Sequence, residues 1–311
     1  MKRLKSHSLL ILTEAERPLE LQSELPSLVN AFRHVELVSP RPARIHAGIL
    51  SRPIRQIGLW LMRRKCAKIL ASGSYSAIIS YGGWDIFKMA KELARKADLP
   101  VILRQCWTES IDSADTAAAK AVIDFPIGAP ACKPVRSHQA KENELSFVCP
   151  ATDLLAHKLI NALAVARPDT HIILMSVGSQ PKFSPTAQNI TLQEVKTVSE
   201  AMTSAIDWLV MLRHDIGVLP RGAATAMAGS VPLVVIDCPA TEGLLDDGCA
   251  VLFGPNPSKE EFVRGMLPYV ESDLRRGHMR ARAFATWQKH LSLEATTRRL
   301  IEIITEALVA P

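Results

Sequence analysis

Arg221 is the only cation between Asp215 and Gly229, and it opens a turn made otherwise of small residues, RGAAT at 221–225. The turn follows the short apolar run Asp215–Leu219 and Pro220. It leads into Ala226–Gly229, which is too short and small to be anything but a closely packed helical piece. A small-residue turn that opens a helix presents free backbone N–H groups, and these attract an anion. A guanidinium beside them adds a planar, permanently charged fork that fits phosphate oxygens. The plain alternative is an exposed loop arginine. The wider stretch, 212–254, reads as strand, tight loop, short helix, strand, loop, strand, with β-branched or apolar runs at Pro232–Asp237 and Ala250–Phe253. Strands alternating with helices imply a parallel sheet, which binds ligands at the carboxyl ends of its strands. The pattern predicts a nucleotide-binding half-domain with its ligand near 220–226.

The remaining reactive side chains are scattered. The cysteines at 66, 106, 132, 149, 238 and 249 contain no Cys-x-x-Cys pair, which argues against a zinc site or a disulfide framework and fits a reducing compartment. No cluster of metal ligands stands out, so no metal and no cofactor are expected. A chain of 311 residues, 48% hydrophobic and 22% charged, suits two soluble domains of ordinary size. Basic residues precede an apolar run at the start, but Leu9–Leu12 is too short for a signal peptide and reads as a strand. No apolar stretch approaches the length of a membrane span. A cytoplasmic protein is expected.

The elements that must position these groups fall into two sets. In the first, SLLILT (8–13), HVELVS (34–39), SAIISY (76–81) and PVIL (100–103) read as strands. Helical spacing covers Leu19–Phe32, interrupted by Pro26, then Pro53–Ala71 and Asp85–Lys96. This is an open α/β half of Rossmann type. Residues 105–143 hold one helix-like run, TESIDSADTAAAKA, and then a linker rich in Pro, Gly and charge. The second set begins with the strand LSFV at 145–148. It continues with a helix over Leu154–Ala166, strands at His171–Val177 and Asn189–Val195, and a helix over Glu200–Arg213. Amphipathic helices at 259–271 and 279–309 close the chain. The expected domains are 1–140 and 141–311, with the last helix returning toward the first domain.

Net charge is +6, and it is concentrated. Between Arg41 and Lys68 lie Arg41, Arg44, Arg52, Arg55, Arg63, Arg64, Lys65 and Lys68, without one Asp or Glu. Ile57, Leu59, Trp60, Leu61 and Met62 are interleaved. Such a segment can lie on an anionic membrane surface. It can equally be a helix packed on the sheet with a solvated basic side. Nucleic acid is a weaker partner, because no recognised motif accompanies the charge.

Two α/β halves joined by a Pro-rich linker, with a ligand loop in the second, resemble the plan of GT-B glycosyltransferases. LSFVCPATDLLAHKLINALAVARPDTHIILMSVGS is similar to the opening of the donor domain in family-4-type (group 1) enzymes. AMAGSVPLVVID and DDGCAVLFGP resemble that family's nucleotide-binding core, and IGAPACKPV its interdomain segment. The resemblance spans about residues 125–300. The first half is similar in layout to the glucuronosyltransferase of xanthan assembly, through SAIISYGGWDIFKMAKELARKADLPVILR. The sequence also departs from the family. A Glu-x7-Glu pair is usual before AMA, and Gly217 and Thr225 stand there. The Arg and Lys that hold the diphosphate after the first donor-domain strand are replaced by CPATDLLAHK.

The resemblance implies a GT-B fold whose two parallel sheets face each other across a cleft, and transfer of a sugar from a nucleotide-sugar donor to a glycan or lipid-linked acceptor. The donor would contact Gly178, Ser179, Arg221, Gly222, Ala223, Ala224 and Thr225. Glu242 would hold ribose hydroxyls, or else cap a helix at Gly243–Leu245. A base for the acceptor hydroxyl would come from a strand end of the first half. Glu109 and Asp112, after PVILRQCW, come first, and Asp85, after SYGG, next. Each also fits a surface or helix-capping carboxylate. A catalytically degenerate GT-B protein that binds a partner is the alternative, because the usual carboxylate pair is replaced. Peripheral attachment to the inner membrane face, through 41–68, would accompany a lipid-linked acceptor.

Overall fold

The computed structural model describes residues 6–13, 19–39, 51–81, 83–104, 119–123, 129, 131–137, 143–178, 183–212, 221–238, 241, 243–245 and 248–309. Two compact units result. One is Met1–Asp124 with Thr297–Pro311, the other Phe125–Thr296.

In the first unit the described elements are β1 (Ser8–Thr13), α1 (Leu19–Ala31), β2 (His34–Val38), α2 (Ser51–Ser72), β3 (Ala77–Tyr81), α3 (Trp84–Ala97), β4 (Val101–Arg104) and β5 (Ala121–Ile123). The sheet order is β2-β1-β3-β4-β5, and every neighbouring pair is parallel. Parallel sheets are covered on both faces, so their strands are near-continuous apolar runs, and all six residues of SLLILT are buried. Leu10, Leu12, Ile78 and Leu103 point to the face covered by α2 and α3. Two features depart from the sequence expectation. Pro26 does not interrupt α1, because Leu21 and Leu28 on either side of it are fully buried and hold the helix across the missing hydrogen bond. β5 lies inside the run read as helix and linker. It is only three residues long, and its pairing with β4 defines it.

The second unit contains β6 (Glu144–Pro150), α4 (Leu154–Ala166), β7 (His171–Val177), β8 (Ile190–Val195), α5 (Val198–Ala201), β9 (Trp208–Met211), α6 (Arg221–Ala228), β10 (Leu233–Ile236), β11 (Ala250–Phe253), α7 (Lys259–Val270) and α8 (Asp273–Thr286). A π-helical turn at Trp287–Leu291 leads to α9 (Leu293–Val309), whose residues from Thr297 belong to the first unit. The sheet runs β8-β7-β6-β9-β10-β11, all parallel. Counted within the unit, this is the 3-2-1-4-5-6 order of a doubly wound dinucleotide-binding fold. Period-two alternation sorts the core. Val148, Met175, Leu209, Met211, Leu233 and Val235 pack with α6. Phe147, Leu174, Trp208, Val210, Val234 and Ile236 pack with α4 and α7 on the opposite face.

The helix expected over Glu200–Arg213 is absent. Val198–Ala201 makes one turn, and Trp208–Met211 is a strand. All four residues of WLVM are buried and alternate between the two cores, which a helix cannot arrange. The turn expected at 221–225 is instead the beginning of α6, and Gly243–Leu245 forms a turn without a helix. Two helices and a π-turn replace the single helix expected after 279.

The described part of the linker is fastened to the second unit. Ala129 N–H donates to Leu291 O at 2.9 Å, and Trp287 Nε1–H donates to Ala129 O at 3.1 Å. Val135 N–H donates to Gly229 O at 2.8 Å. The Arg280 guanidinium reaches Ile206 O at 2.8 Å and also Val135 O, and burial holds its pKa below the ordinary arginine value.

Candidate functional site

A doubly wound sheet offers a ligand crevice at the carboxyl ends of its strands, where strand order reverses. In the second unit that point lies between β6 and β9. Asp153, three residues beyond β6, controls it. Its Oδ1 accepts from Ala156 N–H at 3.0 Å and so caps α4. Its Oδ2 accepts from Leu212 N–H, just beyond β9, at 2.6 Å. The side chain is 2% exposed. One carboxylate therefore joins the two strands that flank the crevice and neutralises the positive end of α4. A second anion has no place at that helix start.

The helix that follows β9 is α6. Its backbone position follows from packing. A Cβ on Gly222 would lie 3.1 Å from Val198 Cγ2. Ala223, Ala224, Ala226 and Ala228 are essentially inaccessible. Larger side chains would push the helix away from α5 and the sheet, so the small residues of RGAATAMA set how close its first turn comes. Val195, Val198 and Val177 join the same core cluster as Ala223 and Ala224. The first turn of α6 thereby packs on α5, the short helix that follows β8. Gly178, just after β7, has φ +111, a conformation that favours glycine, and its N–H donates to Val195 O at 2.9 Å. Gly222, Ala223, Ala224 and Thr225 thus lie together in the first turn of α6, and Gly178 lies directly after β7. Ser179 and Glu242 lie outside the described residues, as does the Arg221 side chain.

His157 and Lys158 both lie on α4. His157 is fully buried and serves the fold. Its Nδ1–H donates to Asp153 O at 2.7 Å, which leaves Nε2 to accept from the Ser176 hydroxyl at 3.3 Å. Cys149 Sγ lies 3.5 Å from Nε2, and burial pushes its thiol well above the ordinary value. Beyond β10, Gly243, Leu244, Arg282, Lys289 and His290 help to line an open cavity of about 420 Å³.

In the first unit the reversal lies between β1 and β3. Thr13, Tyr81 and Arg104 stand side by side in register at the carboxyl ends of β1, β3 and β4. Glu24 of α1 completes a buried polar layer there. Tyr81 Oη–H donates to Glu24 Oε2 at 2.8 Å, and Arg104 Nη2–H donates to Oε1 at 2.8 Å. Both charged side chains are 1% exposed. The Thr13 hydroxyl is buried without a hydrogen-bond partner. Asp85 is exposed in the first turn of α3, where a carboxylate complements the helix dipole. Its neighbour Gly83, not Asp85, occupies the N-cap. Glu109 and Asp112 lie outside the described residues.

Sequence reasoning did not single out Asp153, Glu24, Tyr81 or Arg104. Asp153 carried a readable signal, an Asp directly before the apolar run LLAHKLINALAVA. Glu24 carried none, since one buried carboxylate inside a helical pattern looks like any surface residue.

No protein-family model matches the chain, and no curated protein matches it in sequence. Solved structures do resemble it. A glycosyltransferase from Rickettsia africae matches with a TM-score of 0.65 at 12% identity, over 98% of this chain and 99% of that one. Sucrose-phosphate synthase from Thermosynechococcus elongatus gives 0.63 at 12% identity, over 98% and 100%. Anabaena HepE in complex with UDP gives 0.60 at 11% identity, over 96% and 100%. The likeness is one of fold, and it shows a GT-B structure of two Rossmann-like domains, each built on a parallel sheet.

Proposed function

We propose that this chain is a glycosyltransferase that moves a sugar from a nucleotide-sugar donor to a glycan or lipid-linked acceptor in cell-surface glycoconjugate synthesis. One observation carries the reading. At the reversal point of the second sheet, α4 is closed by the Asp153 carboxylate, while α6 begins with a close-packed turn of small residues. Backbone N–H groups at that turn, with Arg221 beside them, would hold the diphosphate and stabilise the charge it gains as the leaving group. Gly178 and Ser179 would contact the same donor, and Glu242 its ribose. Glu109, Asp112 or Asp85 would take the proton of the acceptor hydroxyl. The likeness to HepE, which was solved with UDP and with UDP-glucose, supports a uridine nucleotide as the first donor to try.

Calorimetric titration with UDP, GDP, ADP and UDP-glucose tests this. At least one nucleoside diphosphate should bind. Arg221→Ala should weaken it by about ten- to a hundredfold, the range for a lost charge-assisted hydrogen bond. Binding should survive EDTA. Failure of every nucleotide to bind would sink the donor assignment.

A further inference from the structure

Helix α2 has two apolar sides, and the fold uses only one of them. Met62 and Cys66, four residues apart, are buried at 3% and 0% against the sheet and α3. Leu59, Ile69 and Leu70 pack partly against the same core. At about 100° per residue, the opposite side of the helix carries Ile57, Trp60, Leu61, Arg64 and Lys68 in one stripe. Ile57 is 58% exposed, Trp60 57% and Leu61 53%. The core therefore does not account for these three large side chains.

The charge on the segment that carries them has one sign. Residues 41–68 carry eight Lys and Arg and no carboxylate. Arg63 turns toward α3, where it pairs with Glu92 at 2.6 Å. The Arg64 guanidinium lies 5.7 Å above the Trp60 ring, so it stays with the apolar stripe. Lys65 and Lys68 are exposed beyond it. An exposed indole with two aliphatic neighbours suits the boundary between lipid headgroups and acyl chains, and flanking cations suit anionic headgroups. No helix among the described residues is long and apolar enough to cross a bilayer, so such contact would be with its surface.

We propose that the outward face of α2 docks on an anionic lipid bilayer, with Ile57, Trp60 and Leu61 entering the interface and Arg64, Lys65 and Lys68 against headgroup phosphates. A nucleic-acid partner would use the cations but leave Ile57 and Leu61 without a role.

Vesicle flotation of the full chain tests this without any sugar donor, so its result is separate from that of the proposed transfer. The protein should float with vesicles of equal parts phosphatidylglycerol and phosphatidylcholine and stay in solution with phosphatidylcholine alone. Replacing Arg64, Lys65 and Lys68 together by Gln should weaken binding by about a hundredfold. Replacing Ile57, Trp60 and Leu61 together by Ser should abolish flotation with the melting temperature unchanged, because these side chains already face water. Three results would overturn the proposal: no flotation with anionic vesicles at low salt, flotation that survives the Ser replacements, or a dimer or a duplex-DNA complex in solution that those replacements abolish.

Discussion

The Glu24 carboxylate and the Arg104 guanidinium are both removed from water and pair at 2.8 Å. Desolvating such a pair costs about as much as the pairing returns, whereas stranding one partner costs about 3–5 kcal/mol. Arg104→Met should therefore lower unfolding stability by about that much in urea, since Glu24 would keep only Tyr81 as a described partner. Adding Glu24→Met in the same chain should recover most of the loss. A double variant as unstable as the sum of the singles would show that the two groups act independently. The layer sits at the carboxyl ends of β1, β3 and β4.

At the scale of elements, two helices begin near one crevice and meet opposite treatments. Asp153 fills the start of α4 and holds the end of β9, while α6 begins with a close-packed run of small residues. Asp153→Ala removes an N-cap worth about 1 kcal/mol and strands the buried Leu212 N–H at about 1–3 kcal/mol. A loss of about 2–4 kcal/mol is expected in chemical denaturation. Asp153→Asn, which retains one acceptor, should lose less. Most elements were legible in the sequence because buried parallel strands are continuous apolar runs bounded by turn residues, as SLLILT and AVLF are. β9 was misread because WLVM directly follows EAMTSAID, and the joined stretch keeps a helical spacing that only sheet pairing overrides. The cap at Asp153 was visible in type, but its second bond to Leu212 depends on strand order, which local pattern does not contain. The small residues of α6 were legible because close approach leaves a mark in composition. The two-sided character of α2 was not, since Ile57–Leu61 satisfies a core pattern as well as it does a surface stripe.

Across the whole molecule, the first unit is built from both ends of the chain. Leu300 and Ile304 of α9 are fully buried and belong to it, although 172 residues of the second unit, Phe125–Thr296, intervene. A chain ending at Thr296 should therefore show faster amide exchange in β1–β4 while β6–β11 remain protected, as hydrogen-exchange mass spectrometry would reveal. Unchanged exchange in β1–β4 would mean that α9 is dispensable to that unit. The same discontinuity sets an order of events on the ribosome. The second unit is contiguous and can close as soon as Thr296 emerges. The unit translated first must wait, with apolar surface open to chaperones, until the final turns of α9 are released, so the domain begun first is the one completed last.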